Sequence, residues 1–198
     1  CIYIWSVIKI TIKFMKRFFF AFLVITFSAL SVSAQKPKLG ITAGYQNMIA
    51  KASLLGISES DNSSGFFIGL NLEFKVSEKI HIQPGLNFSQ AIERSESSSI
   101  LMLPVMVKYY LNNKFYLQGG PSLDFVLEDA EELNKFGIGA GVGAGFEINN
   151  NVYISTKYIF GINNRFNYSE GDFAGLPIDV SGIKMKFNYL NFGIGYKF

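Results

Sequence analysis

Apolar side chains fall on every second residue through most of this chain, and the alternation divides into eight segments. The first, Leu39 to Gln46, puts Leu39, Ile41, Ala43 and Tyr45 on one face. The second, Phe66 to Val76, sets Leu70 and Leu72 against Asn71 and Glu73. Ile80 to Ser89, Leu101 to Leu111 and Phe115 to Leu127 follow. The sixth, Phe136 to Ile148, is the most regular, with glycines at 137, 139, 141, 143 and 145 between apolar residues. The seventh is Val152 to Ile162. The eighth starts near Ile183 and finishes on Asn191-Phe-Gly-Ile-Gly-Tyr-Lys-Phe198. Each segment reaches or approaches the ~9–11 residues that a tilted strand needs to cross a bilayer.

The connectors alternate as well. Ser77 to Lys79, Asn112 to Lys114 and Asn149 to Asn151 are short and rich in turn residues. Asn47 to Gly65, Gln90 to Ile100, Glu128 to Lys135 and Asn163 to Gly182 are long. Short turns on one side and long loops on the other predict an all-β fold, an eight-stranded antiparallel transmembrane barrel of up-and-down topology. A sheet can span hydrocarbon only when it closes, because each backbone polar group must find its partner internally. The apolar parity then faces lipid and the mixed parity faces the lumen. Aromatics near the strand ends, among them Phe66, Phe74, Phe136, Phe146, Tyr196 and Phe198, fit interfacial girdles.

The lumen of so small a barrel is filled by side chains. Its expected lining includes Phe67, Met102, Met106, Tyr110, Tyr116 and Tyr153, with the glycine row of the sixth strand giving them room. It also includes a charge network of Glu73, Lys75, Lys108, Asp124, Glu147, Lys157 and Lys197, which should pair because an unpaired buried charge is costly. Pro84, Pro104 and Pro121 fall inside strands and predict bulges. The last strand changes parity, Ile183, Met185 and Phe187 being odd and Leu190 onward even, which predicts a bulge near Asn188-Tyr189 or a strand running above the membrane.

Composition adds the two ends. Met15-Lys16-Arg17 and the apolar run Phe18 to Leu30, followed by Ser31-Val-Ser-Ala34, read as a cleaved signal peptide over 15–34. Residues 1–14 read as an upstream extension that is not native, leaving a barrel domain over 35–198. The formal charge of +3 then changes sign, because residues from Gln35 onward carry 14 basic and 15 acidic side chains, −1. No electrostatic footprint for nucleic acid remains. The single cysteine is Cys1, so the barrel domain has no disulfide or cysteine metal site.

Candidate chemistry is sparse. Gly139-Ala-Gly141-Val-Gly143-Ala144 matches a dinucleotide fingerprint in letters, but it lies mid-strand with no helix to follow. His81, the one histidine, could act as the base of a lipid-modifying barrel enzyme. No serine stands two positions away on its strand, so a packed histidine is the plainer reading. Glu128 to Glu132 is acidic but lacks the alternate spacing of a calcium loop. The loop from Asn163 to Gly182 carries Arg165, Phe166, Tyr168 and Phe173, a candidate recognition surface. No catalytic, cofactor or metal residue is assigned.

Gln83-Pro-Gly-Leu-Asn-Phe88, Leu103-Pro-Val-Met-Val-Lys-Tyr-Tyr110 and Gly119-Gly-Pro-Ser-Leu123 resemble the blocks of the PorT-type bacterial outer-membrane β-barrel family. The resemblance runs from about residue 36 onward and accounts for the three prolines. Asn191, Gly193, Tyr196 and Phe198 are similar to a barrel-assembly signal, which implies the barrel assembly machinery as a partner during biogenesis. The family's breadth transfers no activity. The expectation is a non-enzymatic barrel of the bacterial outer membrane, in contact with its lipid, without cofactor or nucleic acid. Its outer loops would serve surface interaction with a protein partner or envelope structure. The alternatives are an accessory of a secretion or envelope-assembly complex, a lipid-modifying enzyme, and a soluble lipocalin-like binder with inverted faces.

Overall fold

Eight strands follow one another as β1 (Lys38–Leu54), β2 (Ile57–Lys75), β3 (Ile80–Ile92), β4 (Ser97–Tyr110), β5 (Phe115–Val126), β6 (Phe136–Glu147), β7 (Val152–Gly161) and β8 (Lys184–Lys197). Each pairs antiparallel with the next, and β8 returns to β1 to close the barrel. The closing ladder is continuous from Gly40↔Lys197 to Ser53↔Lys184. The computed structural model describes residues 36–54, 57–92, 97–128, 133–166 and 184–198; the expected upstream extension and signal peptide lie outside them.

Face assignment follows the pleat. On β4, Met102, Pro104, Met106, Lys108 and Tyr110 are buried in the lumen, while Leu103, Val105, Val107 and Tyr109 between them are exposed. Leu70 is 54 % exposed and Phe192 57 %, and comparable apolar residues stand out on all eight strands. An apolar band of this extent around a closed sheet needs lipid as its solvent.

The three short turns share one device. Ser77 Oγ accepts from the N–H of Ile80 at 3.0 Å. Asn112 Oδ1 accepts from Lys114 and Phe115 N–H at 2.9 and 2.8 Å. Asn149 Oδ1 accepts from Asn151 and Val152 N–H at 2.9 and 2.8 Å. A short side-chain oxygen thus takes the N–H groups that the turn frees from the ladder.

Three expectations need correction. The stretch from Asn47 to Gly65 is strand over its described residues, since β1 and β2 pair from Asn47↔Ser64 out to Leu54↔Ile57. This segment is rich in serine and asparagine and lacks apolar alternation. Beyond the bilayer a strand needs only ladder partners, so pairing outlasts the pattern that marks its membrane part. The same cause carries β3 out to Ile92 and starts β4 at Ser97.

The prolines do not mark bulges. Pairing lapses between Asn71↔Gly85 and Phe74↔Ile82, between Pro84↔Val105 and Asn87↔Met102, and between Pro104↔Ser122 and Val107↔Gly119. The register is unshifted across each gap, so no residue is inserted. Proline removes an N–H from the ladder without changing the count. Near Asn188, β7 and β8 stop pairing at Ile159↔Tyr189, and the Asn188 side chain takes the N–H of Gly161 at 2.9 Å instead. Phe187, Asn188 and Tyr189 are all buried there, while the β1 register runs on undisturbed.

Candidate functional site

The lumen is built in layers, and register decides which inward residues share a level. At the end bearing the short turns, Glu73 of β2 is the hub. Its carboxylate lies 2.7 Å from His81 Nδ1, 2.7 Å from Lys108 Nζ and 3.1 Å from Lys197 Nζ. Glu147 of β6 receives Lys197 Nζ at 2.6 Å and the Tyr110 hydroxyl at 2.8 Å. Lys108 is fully buried, its ammonium 4.5 Å from the Tyr116 ring centre and 4.9 Å from that of Tyr153. Above this network, Tyr153, Thr42, Asn71 and Gln83 hydrogen-bond to one another, with Thr42 Oγ1 2.6 Å from the Tyr153 hydroxyl.

A second charged site lies toward the long connectors. Arg165 Nη1 donates to Asp124 Oδ2 at 2.6 Å, and the Tyr189 hydroxyl donates to the same oxygen at 3.0 Å. Arg165 Nη2 reaches the Lys135 carbonyl at 3.0 Å, and the guanidinium lies 4.9 Å from the Phe187 ring centre. Gly137 makes this possible, because a Cβ there would stand within 2.2 Å of both Arg165 and Asp124 side-chain atoms. Ile100, Met102, Val126, Ile159, Phe187 and Tyr189 pack into an apolar cluster at this end. Beneath it, Ser89 Oγ donates to Gln46 at 2.8 Å.

The seven residues expected to form one charge network therefore separate. Glu73, Lys108, Glu147 and Lys197 come together, joined by His81 and Tyr110. Asp124 belongs to the Arg165 site. Lys75, at the end of β2, is exposed and lines the open mouth. Lys157 sits at mid-height, opposite Gly143 and Asn191. Alternation tells which face a side chain takes, but not its height along the barrel, and pairing depends on height.

Arg165 is the residue sequence reasoning missed most clearly. It was expected on a recognition loop and is instead 2 % exposed. The available signal was parity: Arg165 continues the odd, inward series of Tyr153, Ser155, Lys157 and Ile159. His81 has a carboxylate, not a serine, on its ring nitrogen. Of the acidic run from Glu128, only Glu128 is described; it accepts from the N–H of Ser99 at 2.5 Å and from Ser98 Oγ at 3.3 Å. The recognition loop beyond Phe166 lies outside the described residues. Of the terminal four, Asn191 and Gly193 are buried in the lumen, while Tyr196 and Phe198 face outward with ring centres 5.1 Å apart.

At the short-turn end a cavity of 440 Å³ opens as a cup. Lys38, Lys79 and Lys114 stand around it with Glu78, and His81 and Tyr110 form part of its floor. The floor charges are mutually compensated, so the rim gives the cup a positive field. Tyr116 fills the space left by Gly145, where a Cβ would meet its ring at 2.2 Å. Gly145→Val should cost about 1–3 kcal/mol by overpacking. Urea unfolding in lipid vesicles reads this as a lowered midpoint.

Residues 19–198 match the model of the family described as outer membrane protein beta-barrel domain. No curated protein sequence matches the chain. Among solved structures it is similar to Ail, the attachment invasion locus protein of Yersinia pestis, at 14% identity and a TM-score of 0.51, covering 83% of this chain and 100% of that one. Neisserial surface protein A gives 18% identity and a TM-score of 0.49, covering 81% and 97%. OprG from Pseudomonas aeruginosa gives 12% identity and a TM-score of 0.43, covering 83% and 97%. The likeness to Ail is one of fold and carries no activity across. With its closed eight-stranded sheet, its lipid-facing apolar band and a family match over nearly the whole sequence, the chain belongs to the outer membrane protein beta-barrel domain family and resides in the bacterial outer membrane.

Proposed function

We propose that this is a non-enzymatic outer-membrane barrel with a plugged lumen, whose long outer loops serve surface interaction or envelope structure. The observation that carries this reading is the filled interior: a charged layer, a hydrogen-bonded polar layer and an apolar cluster follow one another along the axis. Among the described residues, the charged and polar side chains along this axis pair largely with one another and His81 Nδ1 is taken by Glu73, which supports a plug over an open water path. Purified monomer in planar bilayers is expected to show no large, stable conductance. A steady open pore would overturn the plugged lumen.

A second reading is favoured by the positive cup at the short-turn end. There the barrel would be an accessory of a protein secretion or envelope-assembly complex, as the PorT-type resemblance suggests. Stoichiometric partners retained after gentle detergent extraction would support it. A lipid-modifying activity would require a nucleophile near His81, whose Nδ1 is held by Glu73. We also read Asn191, Gly193, Tyr196 and Phe198 as the segment addressed by the barrel assembly machinery. Phe198→Ser should then lower the folded fraction in cells while leaving refolding of purified protein intact; loss of both would refute that role.

A further inference from the structure

We propose that the cup at the short-turn end takes an acidic peptide segment of a periplasmic protein, extended across its mouth; this deepens the accessory reading above and rests on it. The short turns of an outer-membrane barrel face the periplasm. The rim there carries Lys38, Lys75, Lys79 and Lys114 against Glu78, four positive charges to one negative, although the chain from Gln35 onward is net −1. The floor adds little to the balance, since Glu73 and Glu147 are engaged by Lys108 and Lys197. Lys38, Lys79 and Lys114 are exposed, and among the described residues no carboxylate lies within ion-pairing distance of them. A mouth that gathers like charges over a compensated floor draws anions toward it.

Two observations specify the anion. The three lysines stand on separate pieces of chain: Lys38 opens β1, Lys79 lies in the turn before β3, and Lys114 lies in the turn before β5. A ligand that meets all three has to reach across the mouth and carry several negative charges. The cavity of 440 Å³ lies within the ~300–1,000 Å³ of sites that hold organic ligands, so it has room for more than a lone ion. Asn113 and Asn150 line the same cup, are exposed, and make no side-chain hydrogen bond among the described residues. A primary amide both donates and accepts, which matches the N–H and C=O of a peptide main chain. An ionised phosphate offers acceptors alone. The chain's own N-terminal segment does not supply the ligand, because residues 1–36 hold no aspartate or glutamate.

Fluorescein-labelled hexaglutamate titrated against the whole barrel in nanodiscs of zwitterionic lipid tests this. The expected result is saturable binding that weakens with salt. It should fall about tenfold in the triple variant Lys38→Gln, Lys79→Gln, Lys114→Gln, at the roughly two- to threefold that one exposed charge pair contributes. The triple variant Lys51→Gln, Lys184→Gln, Lys186→Gln removes the same charge at the opposite end of β1 and β8 and should leave binding unchanged. Absence of binding to the wild type overturns the proposal. An equal loss in both triple variants also overturns it, since net charge alone then accounts for the affinity. Displacement by pyrophosphate as readily as by unlabelled hexaglutamate overturns the peptide assignment, because the cup then recognises phosphate. Heat-modifiable mobility checks that each variant is folded. Should the rim triple fail that check, Lys79→Gln and Lys114→Gln singly take its place, each expected to cost about two- to threefold. Failure here is separable from failure of the accessory reading. A stoichiometric partner retained as fully by the rim variant as by the wild type leaves that reading standing and overturns the role of the cup.

Discussion

Glu73→Gln is expected to destabilise the barrel by about 3–5 kcal/mol, the usual cost of removing one partner from a buried ion pair. The glutamine keeps the shape and loses the charge. Among the described residues, Lys108, fully buried, then has no carboxylate within salt-bridge reach, and Lys197 keeps only Glu147. His81 loses its carboxylate partner at the same time. Urea titration in vesicles, read by gel mobility of unheated samples, should show a large fall in midpoint. Lys108→Met added to Glu73→Gln should recover most of it, because the stranded charge is gone. A midpoint unchanged in Glu73→Gln would mean that water reaches this layer and screens it.

Asp124→Leu should have a loss of similar size at the opposite end, again about 3–5 kcal/mol. Arg165 is 2 % exposed and has no other carboxylate partner among the described residues. The Tyr189 hydroxyl, which is buried, loses its acceptor as well. The double variant Asp124→Leu, Arg165→Met is the informative control. Replacing a whole buried pair by apolar groups is often neutral or stabilising by about 1–4 kcal/mol. Adjacent Phe187, Val126 and Met102 already supply an apolar surround. A double variant as weak as the single would show that Arg165 also holds the chain segment after β7, through its contact with the Lys135 carbonyl.

These two sites show how far sequence carries. Barrel, strand number and lipid face were legible because the bilayer imposes a period of two on every crossing strand. Glu73, Lys108, Glu147 and Lys197 were legible as inward for the same reason. Their association was not, since it depends on how far each strand is staggered against its neighbours. Asp124 illustrates this: its parity is that of the network, yet its register sets it opposite Met102 and Gly137, at another level. The outer halves of β1 and β2 were illegible because serine and asparagine above the membrane carry no apolar signal. Arg165 was hidden by its place in a connector, where a charged residue is ordinarily solvated. The prolines misled in a different way. A missing donor reads as a bulge in a list of residues, and only the unshifted register separates a gap from an insertion.

The positive cup lies at the short-turn end of the barrel, and the apolar cluster with Arg165 lies toward the other end. Any surface interaction would then be a matter for the loops, with the lumen acting as a rigid support. Everything above depends on the chain being a closed barrel seated in the outer membrane. Cell fractionation combined with heat-modifiable gel mobility tests it most directly. The protein is expected in the outer-membrane fraction, with unheated and boiled samples migrating differently. Recovery in the soluble fraction, with one mobility before and after boiling, would contradict it.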